Sequence, residues 1–555
     1  MNDKVEIYCR NNGRKISVER GSTLSEIYAI SGTELREKVL CATVNNRTER
    51  LDYRVYRPKD MEFLDITNPH GLRTYIRSLC FVLSKAVHDI MPEAELKIEH
   101  SISKGYFCQI SPPCGENMVQ RIKARMQEII AADIPIEKHE VHTSKAIEIF
   151  TQQKADEKVK LLQCCNNLYT TYYSMDGLND MYPYELVLST GSLEVFDFVK
   201  YSYGYLLIPP SESDPKRPYT VERQDKLLGA FEEQTRFNEI AGLKYIGEMN
   251  AAIKEGYAPT MIKVMEALHE KQIARIADDI TNRFRLNGNA RVVLIAGPSS
   301  SGKTTFAKRL SIQMLTNLLI PVSISLDDYF VNRDQTPLDE NGEHDYESIH
   351  ALDLELFNND LNALLQGKEV SIPTYNFESG TRTYKGNKIK LDPSSILILE
   401  GIHALNPELT AHIEERYKYK IYVSALTSIS IDTHNWIPTT DNRLLRRIIR
   451  DSRYRGSSAR ETISRWRSVR NGEEKWIFPY QESADAMFNT SLIFELAVIS
   501  RHATPLLASV PRDAEEYNEA SRLMNFLRLF TQIPERDIPP TSLAREFLGG
   551  SSFKY

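Results

Sequence analysis

The sequence predicts an α/β protein whose later part is built on a parallel sheet, preceded by a small β-grasp unit and an α+β unit. Three observations carry this. From residue 290 to about 500, short apolar strands ("RVVLIAG", "PVSISLD", "SILILEG", "YKIYVSA") alternate with helical segments, the pattern of a sheet covered on both faces. Residues 4–65 read as short strands around one helix. The chain, at 555 residues, is also too long for one hydrophobic core.

Taken in order, "VEIYC" and "KISVE" alternate with period two and flank the turn "RNNGR", which predicts a hairpin. "GSTLSEIYAI" offers Ser22 or Thr23 as N-cap of an apolar-periodic helix. "CATVNNRTERLDYRV" returns to strand, so residues 1–66 form the β-grasp unit. Residues 67–225 form the α+β unit. "GLRTYIRSLCFVLSKAVHDIMP" is a helix stopping at Pro92, "ELKIEHSISKGYFCQI" is strand-like, and "GENMVQRIKARMQEIIAADIP" is a second helix ending before a proline. Residues 226–285 are helical and charged, a connector or a helix packed on the next unit. Residues 286–505 hold the parallel sheet. Residues 506–555 hold the helical piece "DAEEYNEASRLMNFLRLF" and a polar tail.

Composition excludes several classes. Apolar content is 41% and charged content 26%, ordinary for a globular protein. A net charge of −6 argues against a bulk nucleic-acid binder. No 18-residue apolar run occurs and the start lacks the apolar core of a secretion signal, so a cytoplasmic protein without a membrane span is expected. The seven cysteines are odd in number and include no C-x-x-C pair, so they read as reduced structural thiols. His139 and His142 in "KHEVH" are too isolated for a metal site, and His100 reads as structural.

"GPSSSGKTT" carries the chemistry. Gly297, Gly302, Lys303 and Thr304 fit G-x-x-x-x-G-K-[ST] in full, after a strand and before a helix. Glycines let backbone N–H groups turn inward onto a phosphate, and the helix adds its positive end. The ATP-binding set is Gly297, Ser299, Ser300, Ser301, Gly302, Lys303, Thr304 and Thr305. Lys303 would reach the β and γ phosphates, and the Thr304 hydroxyl would ligate Mg²⁺. No N-K-x-D segment is present, the nearest string being "GNKIKLD", which disfavours a GTPase.

"PVSISLDDYF" ends in Asp327 and Asp328 at a strand C-terminus, where the active-site rim of such a sheet lies. Asp327 is the candidate base or metal-water ligand, and one of the two aspartates can instead cap a helix. "SSILILEG" places Glu400 at another strand end, as a metal-orienting carboxylate or a surface turn. "DNRLLRRIIRDSRYRG" sets Arg443, Arg446, Arg447 and Arg450 at helical spacing, with Arg443, Arg447 and Arg450 on one face. Such a run is either a solvated face or a lid over phosphates, and Arg443 and Arg447 are its catalytic candidates.

The motif order "GPSSSGKTT", "SLDDYF", "DYESIHALDLEL", "PTYNFESGTR", "LILEGIHAL" and "DNRLLRRIIRD" resembles the uridine/cytidine kinase and phosphoribulokinase branch of the P-loop kinases. The resemblance implies a nucleoside-monophosphate-kinase-like fold and ATP- and Mg²⁺-dependent phosphorylation of a hydroxyl, the nucleoside 5′-OH in uridine kinases. It also implies that Asp327 is the base, that Glu347 takes the ribose hydroxyls, and that Tyr375 and Phe377 lie against the base, with Arg382 just beyond. Read from the residues alone, the two aromatics are also core candidates. Two departures stand out. The family's base-reading histidine is replaced by Gly380, and its aspartate in P-x-Y-D-F by Asn376.

Residues 4–65 resemble a TGS domain, and 67 to about 210 the second N-terminal domain of threonyl-tRNA synthetase, which carries an editing site. The editing H-x-x-x-H falls on Arg77 and Phe81, and the later C-x-x-x-H on about Val187 and Gly191, so zinc binding and deacylation do not follow. The combination resembles bacterial-type uridine kinases that carry a TGS module. Expected partners are a nucleoside substrate and further copies of the chain; RNA binding is not expected. Two other readings stay open: a kinase for another small hydroxyl compound (a purine nucleoside, phosphosugar or pantothenate-like acceptor), and an RNA- or ribosome-associated regulatory ATPase. The tail "SLAREFLGGSSF" is explained by neither motif set.

Overall fold

The computed structural model describes residues 4–165, 167–339 and 342–554. The parallel sheet expected late in the chain has five strands: β1 (Val292–Ala296), β2 (Ile320–Ser325), β3 (Ser395–Glu400), β4 (Lys418–Ser424) and β5 (Ala486–Asn489). Their spatial order is β2-β3-β1-β4-β5, and every neighbouring pair is parallel. The sequence explains the order of burial. β1 is apolar throughout and β3 is apolar between Ser395 and Glu400, and both are buried along their whole length, whereas the edge strand β2 is half exposed.

Alternate residues of these strands feed two cores. Val292, Leu294, Leu397 and Leu399 pack on one face with Phe357 and Leu361. Val293, Ile295, Ile396 and Ile398 pack on the other with Phe306, Leu310 and Met314 of helix α1 (Lys303–Thr316). The same core contains Ile273, Ala277 and Ile280 of the long helix Ala258–Asn287. The charged segment 226–285 is therefore no free linker: its last helix covers one face of the sheet. After β4 come helices α2 (Thr439–Tyr454) and α3 (Ala459–Trp476), which carry the arginine run and close over the strand ends.

Before this part lie two further layers. A five-stranded sheet, in the order Arg14–Glu19, Lys4–Cys9, Lys59–Leu64, Cys41–Val44, Thr48–Glu49, packs on the helix Leu24–Ser31. Thr23, rather than Ser22, is that helix's N-cap. Its hydroxyl accepts from Glu26 N–H while Glu26 reaches back to the Thr23 N–H. A four-stranded antiparallel sheet follows, covered by the helices Pro69–Ile90 and Glu116–Ala131. Among the described residues no helix is long and apolar enough to cross a membrane.

The layers are joined by buried polar contacts. Lys158 lies 3.2 Å from Asp180, 3.3 Å from Asp432 and 3.4 Å from Glu157, and His434 lies 2.7 Å from Asp180. Trp436, in the loop leading to α2, enters the core of the antiparallel-sheet layer, where the Arg77 guanidinium stands 3.5 Å over its ring. Phe81 and Val187 belong to that same core. The layer that resembles an editing domain is thus packed with side chains, one of them supplied by the loop before α2. At the other end, Arg522 binds Asp441 of α2 at 2.6 Å and Glu519, which Arg73 also reaches at 3.3 Å.

Candidate active site

The phosphate loop follows β1 at the C-terminal edge of the sheet, as its spacing requires. Gly297 is obligatory because a Cβ there would collide with the Val423 carbonyl. Gly302 adopts φ +85° and starts α1. The loop's carbonyls are held from outside. Arg443 donates to Ser299 O at 3.0 Å, Arg446 to Ser300 O at 3.3 Å, and the Thr490 hydroxyl to Ser301 O at 2.6 Å. Both arginines are fully buried, Arg443 paired with Glu473 and Arg446 with Glu495. Arg447 donates instead to the Ser299 hydroxyl at 2.7 Å. The single face assigned to Arg443, Arg447 and Arg450 is thus divided: Arg443 clamps the loop backbone, and Arg447 reaches the loop's side chain.

Two carboxylates of the chain already take loop N–H groups. Glu473 of α3 accepts from Ser299 N–H at 3.1 Å. Glu546, in the C-terminal tail, accepts from the Thr305 hydroxyl at 2.5 Å and its N–H at 3.3 Å. The tail docks on the parallel-sheet part, with Leu543 against the sheet's second face and Phe547 under Arg446. Lys303 donates to Pro298 O at 3.2 Å. Burial pushes its ammonium pKa down, opposed by the nearby Glu400, Asp327 and Glu546.

The Thr304 hydroxyl donates to Glu400 at 3.3 Å and the Ser325 hydroxyl to the same oxygen at 3.0 Å. Burial, reinforced by the Asp327 charge, pushes the Glu400 carboxyl above the usual carboxylate range. Hydroxyl and carboxylate oxygens on three elements, with two like charges that Lys303 offsets only in part, fit a hard divalent cation that keeps several of its waters. Among the described residues there is no cluster of three His, Cys, Asp or Glu side chains that could hold a metal.

On the acceptor side, Asp327 lies in the short turn Leu326–Tyr329 after β2. Asp328 caps no helix there. It accepts from Tyr375 N–H at 3.2 Å and ties the hairpin Thr374–Asn376/Thr381–Thr383 to the strand end. Tyr375 and Phe377 meet edge to face at 5.2 Å, and Phe330 joins them at 5.6 and 6.3 Å. Arg455, just past α2, stands 4.5 Å over Phe377. The neighbouring Arg450, together with burial, lowers its pKa to about 10. Glu347 lies among Arg447, Glu473, Lys303 and Asp327, and burial pushes its carboxyl up to about 7 against the pull of Arg447. Its Oε2 is buried without a hydrogen-bond partner. Gly472 in the middle of α3 makes room for it, since a Cβ there would collide with the Glu347 side chain. Arg382 is committed elsewhere, to Asp353 at 2.9 Å.

Sequence reasoning missed Phe330, Arg455, Gly472, Glu473 and Glu546. The first two were findable, since Phe330 lies three residues after Asp327 and Arg455 four after Asp451 on the basic helix. The others carry no local signal.

Residues 292–493 match the Phosphoribulokinase / Uridine kinase family. Over 195 residues the chain is 32% identical to the uridine kinase of Macrococcus caseolyticus, an alignment covering 35% of this chain and 85% of that protein. This chain belongs to the phosphoribulokinase/uridine kinase family. A second family relative, the uridine kinase of Halobacterium salinarum, is 29% identical over 193 residues, covering 34% of this chain and 76% of the relative. The N-terminal region is similar to the threonine–tRNA ligase of Clostridium kluyveri, 23% identical over 197 residues, which is 35% of this chain and 31% of the ligase. Membership makes the chain a P-loop kinase of the nucleoside or phosphosugar type, a class that uses ATP and Mg²⁺.

Proposed function

We propose that the chain transfers the γ-phosphoryl group of ATP to the 5′-hydroxyl of a nucleoside, giving the nucleoside monophosphate and ADP. The observation that carries this reading is the acceptor pocket. Three aromatic rings, Phe330, Tyr375 and Phe377, cluster on the hairpin that Asp328 ties to the turn carrying Asp327, and Glu347, which feels the charges of Asp327 and Lys303, has a buried oxygen without a partner. Flat rings suit a base, and the open carboxylate oxygen suits ribose hydroxyls. Asp327 accepts the proton of the attacking hydroxyl as it moves onto phosphorus. Lys303, Arg447, Arg450 and Arg455 carry the charge that develops on the transferred group, and α2 with α3 excludes water from it. Thr304, Glu400 and Asp327 would hold Mg²⁺, which supplies charge neutralisation when bound. A cytoplasmic role in pyrimidine salvage and self-assembly belong to the same reading.

The test is ADP release by the purified chain with Mg-ATP against uridine, cytidine, adenosine, guanosine and ribulose 5-phosphate. Nucleoside-dependent release that is lost in Lys303→Ala supports the proposal. Release only with the phosphosugar overturns the nucleoside reading and keeps a kinase. Hydrolysis of ATP stimulated by RNA and by no small hydroxyl compound would move the function to the N-terminal layers.

A further inference from the structure

Gly380 turns the acceptor hairpin with φ +69° and is buried. A Cβ there would lie 2.7 Å from Arg333 Nε and 2.9 Å from its Cζ. A side chain at position 380 would have to displace the Arg333 side chain, which lies across it, and would be strained at this φ. Two bonds fix that placement: Arg333 N–H donates to Gly380 O at 2.9 Å, and Nη2 donates to Phe377 O at 2.7 Å. Nε and Nη1 have no acceptor among the described residues. The charge also acts on the neighbouring Tyr375 phenol. A planar cation with free donors thus stands at the rim of the Phe330–Tyr375–Phe377 cluster.

A guanidinium only donates hydrogen bonds, and it does so as a fork. It is satisfied by two adjacent acceptors and repelled by an N–H lying between them. Cytosine presents N3 beside O2, and guanine presents N7 beside O6. Uracil places N3–H between its carbonyls, and adenine sets an amino group beside N7. We propose that Arg333 is a specificity-determining residue of the acceptor pocket and selects nucleosides with two adjacent acceptors on the base edge, cytidine ahead of uridine and guanosine ahead of adenosine. The proposal rests on the nucleoside reading above.

The experiment is steady-state kinetics of the full chain with Mg-ATP and each of the four ribonucleosides, with products identified by mass, for the wild type, Arg333→Ala and Arg333→Lys. Wild type should show a higher kcat/KM for cytidine than for uridine. Arg333→Ala should lower cytidine kcat/KM by roughly 10- to 100-fold and change uridine less than about threefold. Arg333→Lys, which keeps the charge and loses the fork, should recover little of the selectivity. An equal fall for every nucleoside would reduce Arg333 to a tether of the hairpin and overturn the proposal, as would a wild-type preference for uridine. Turnover with unchanged selectivity overturns this inference alone. Turnover of no nucleoside overturns the nucleoside reading with it.

Discussion

Replacing Glu347 by glutamine removes a buried charge while keeping the shape of the side chain, and it separates the stability of the acceptor pocket from its chemistry. Burial pushes the Glu347 carboxyl up to about 7 from an ordinary glutamate value of 4.5. The native chain holds this proton more tightly than the unfolded chain. The stability it contributes is full below pH 4.5 and is lost as pH rises through 7. At about 1.4 kcal/mol per tenfold change in proton affinity, ionising the group at pH 8 costs up to about 3 kcal/mol. Glu347→Gln never pays this, so it should melt several degrees higher than wild type at pH 8, given about 2–4 °C per kcal/mol for a unit of this size. Below pH 4.5 the two should melt together. Differential scanning fluorimetry of the ligand-free proteins across this range reads the effect. The same substitution should lower kcat/KM for the nucleoside by roughly 10- to 100-fold and leave the KM for ATP within about twofold, because only the acceptor's hydroxyls meet this carboxylate. A variant that melts lower than wild type at pH 8, or a melting difference independent of pH, would refute the burial argument. An unchanged nucleoside kcat/KM would refute the assigned role.

Three further outcomes are expected. Glu546→Gln should tighten ATP binding about tenfold by isothermal titration, because the Thr305 N–H and hydroxyl now held by a carboxylate become easier for a phosphate to claim; weaker binding would make Glu546 a support of the loop. Gly472→Ala raises helix propensity by about 1 kcal/mol yet pushes on Glu347, so nucleoside kcat/KM should fall while helical content by circular dichroism holds; full activity would contradict the packing described. Lys158→Met leaves Asp180 and Asp432 buried without their shared cation, and should cost about 3–5 kcal/mol and lower the first calorimetric transition; an unchanged transition would mean that the junction contributes nothing to stability.

What could be read in the sequence was what is local. The phosphate loop is nine contiguous residues between a strand and a helix, and each residue's role follows from its neighbours. Asp327 and Glu400 are legible because an apolar run ending in an acid places that acid at the sheet's rim. Thr23 is legible for the same reason, as its capping partner is three residues away. The arginine run shows the limit. Spacing puts Arg443 and Arg447 on one side of α2, but what that side meets depends on α3. The Ser299–Glu473 contact spans 174 residues and the Thr305–Glu546 contact 241, distances over which sequence periodicity carries no information. Gly380 reads as the loss of a histidine, and only the fold shows that the Arg333 guanidinium takes its space. Trp436 likewise sits in an unremarkable loop, and its partner Arg77 stands where the resemblance to the editing domain would place a histidine.

The central claim is that the pocket beside the phosphate loop accepts a nucleoside. It is tested most directly by incubating the chain with Mg-ATP and cytidine or uridine, and following products by ³¹P NMR and mass spectrometry alongside Lys303→Ala and Asp327→Asn. The account predicts nucleoside 5′-monophosphate formed in step with ADP, and neither product above background in the two variants. ADP accompanied only by inorganic phosphate, or a 5′-monophosphate formed equally well by Asp327→Asn, would contradict it.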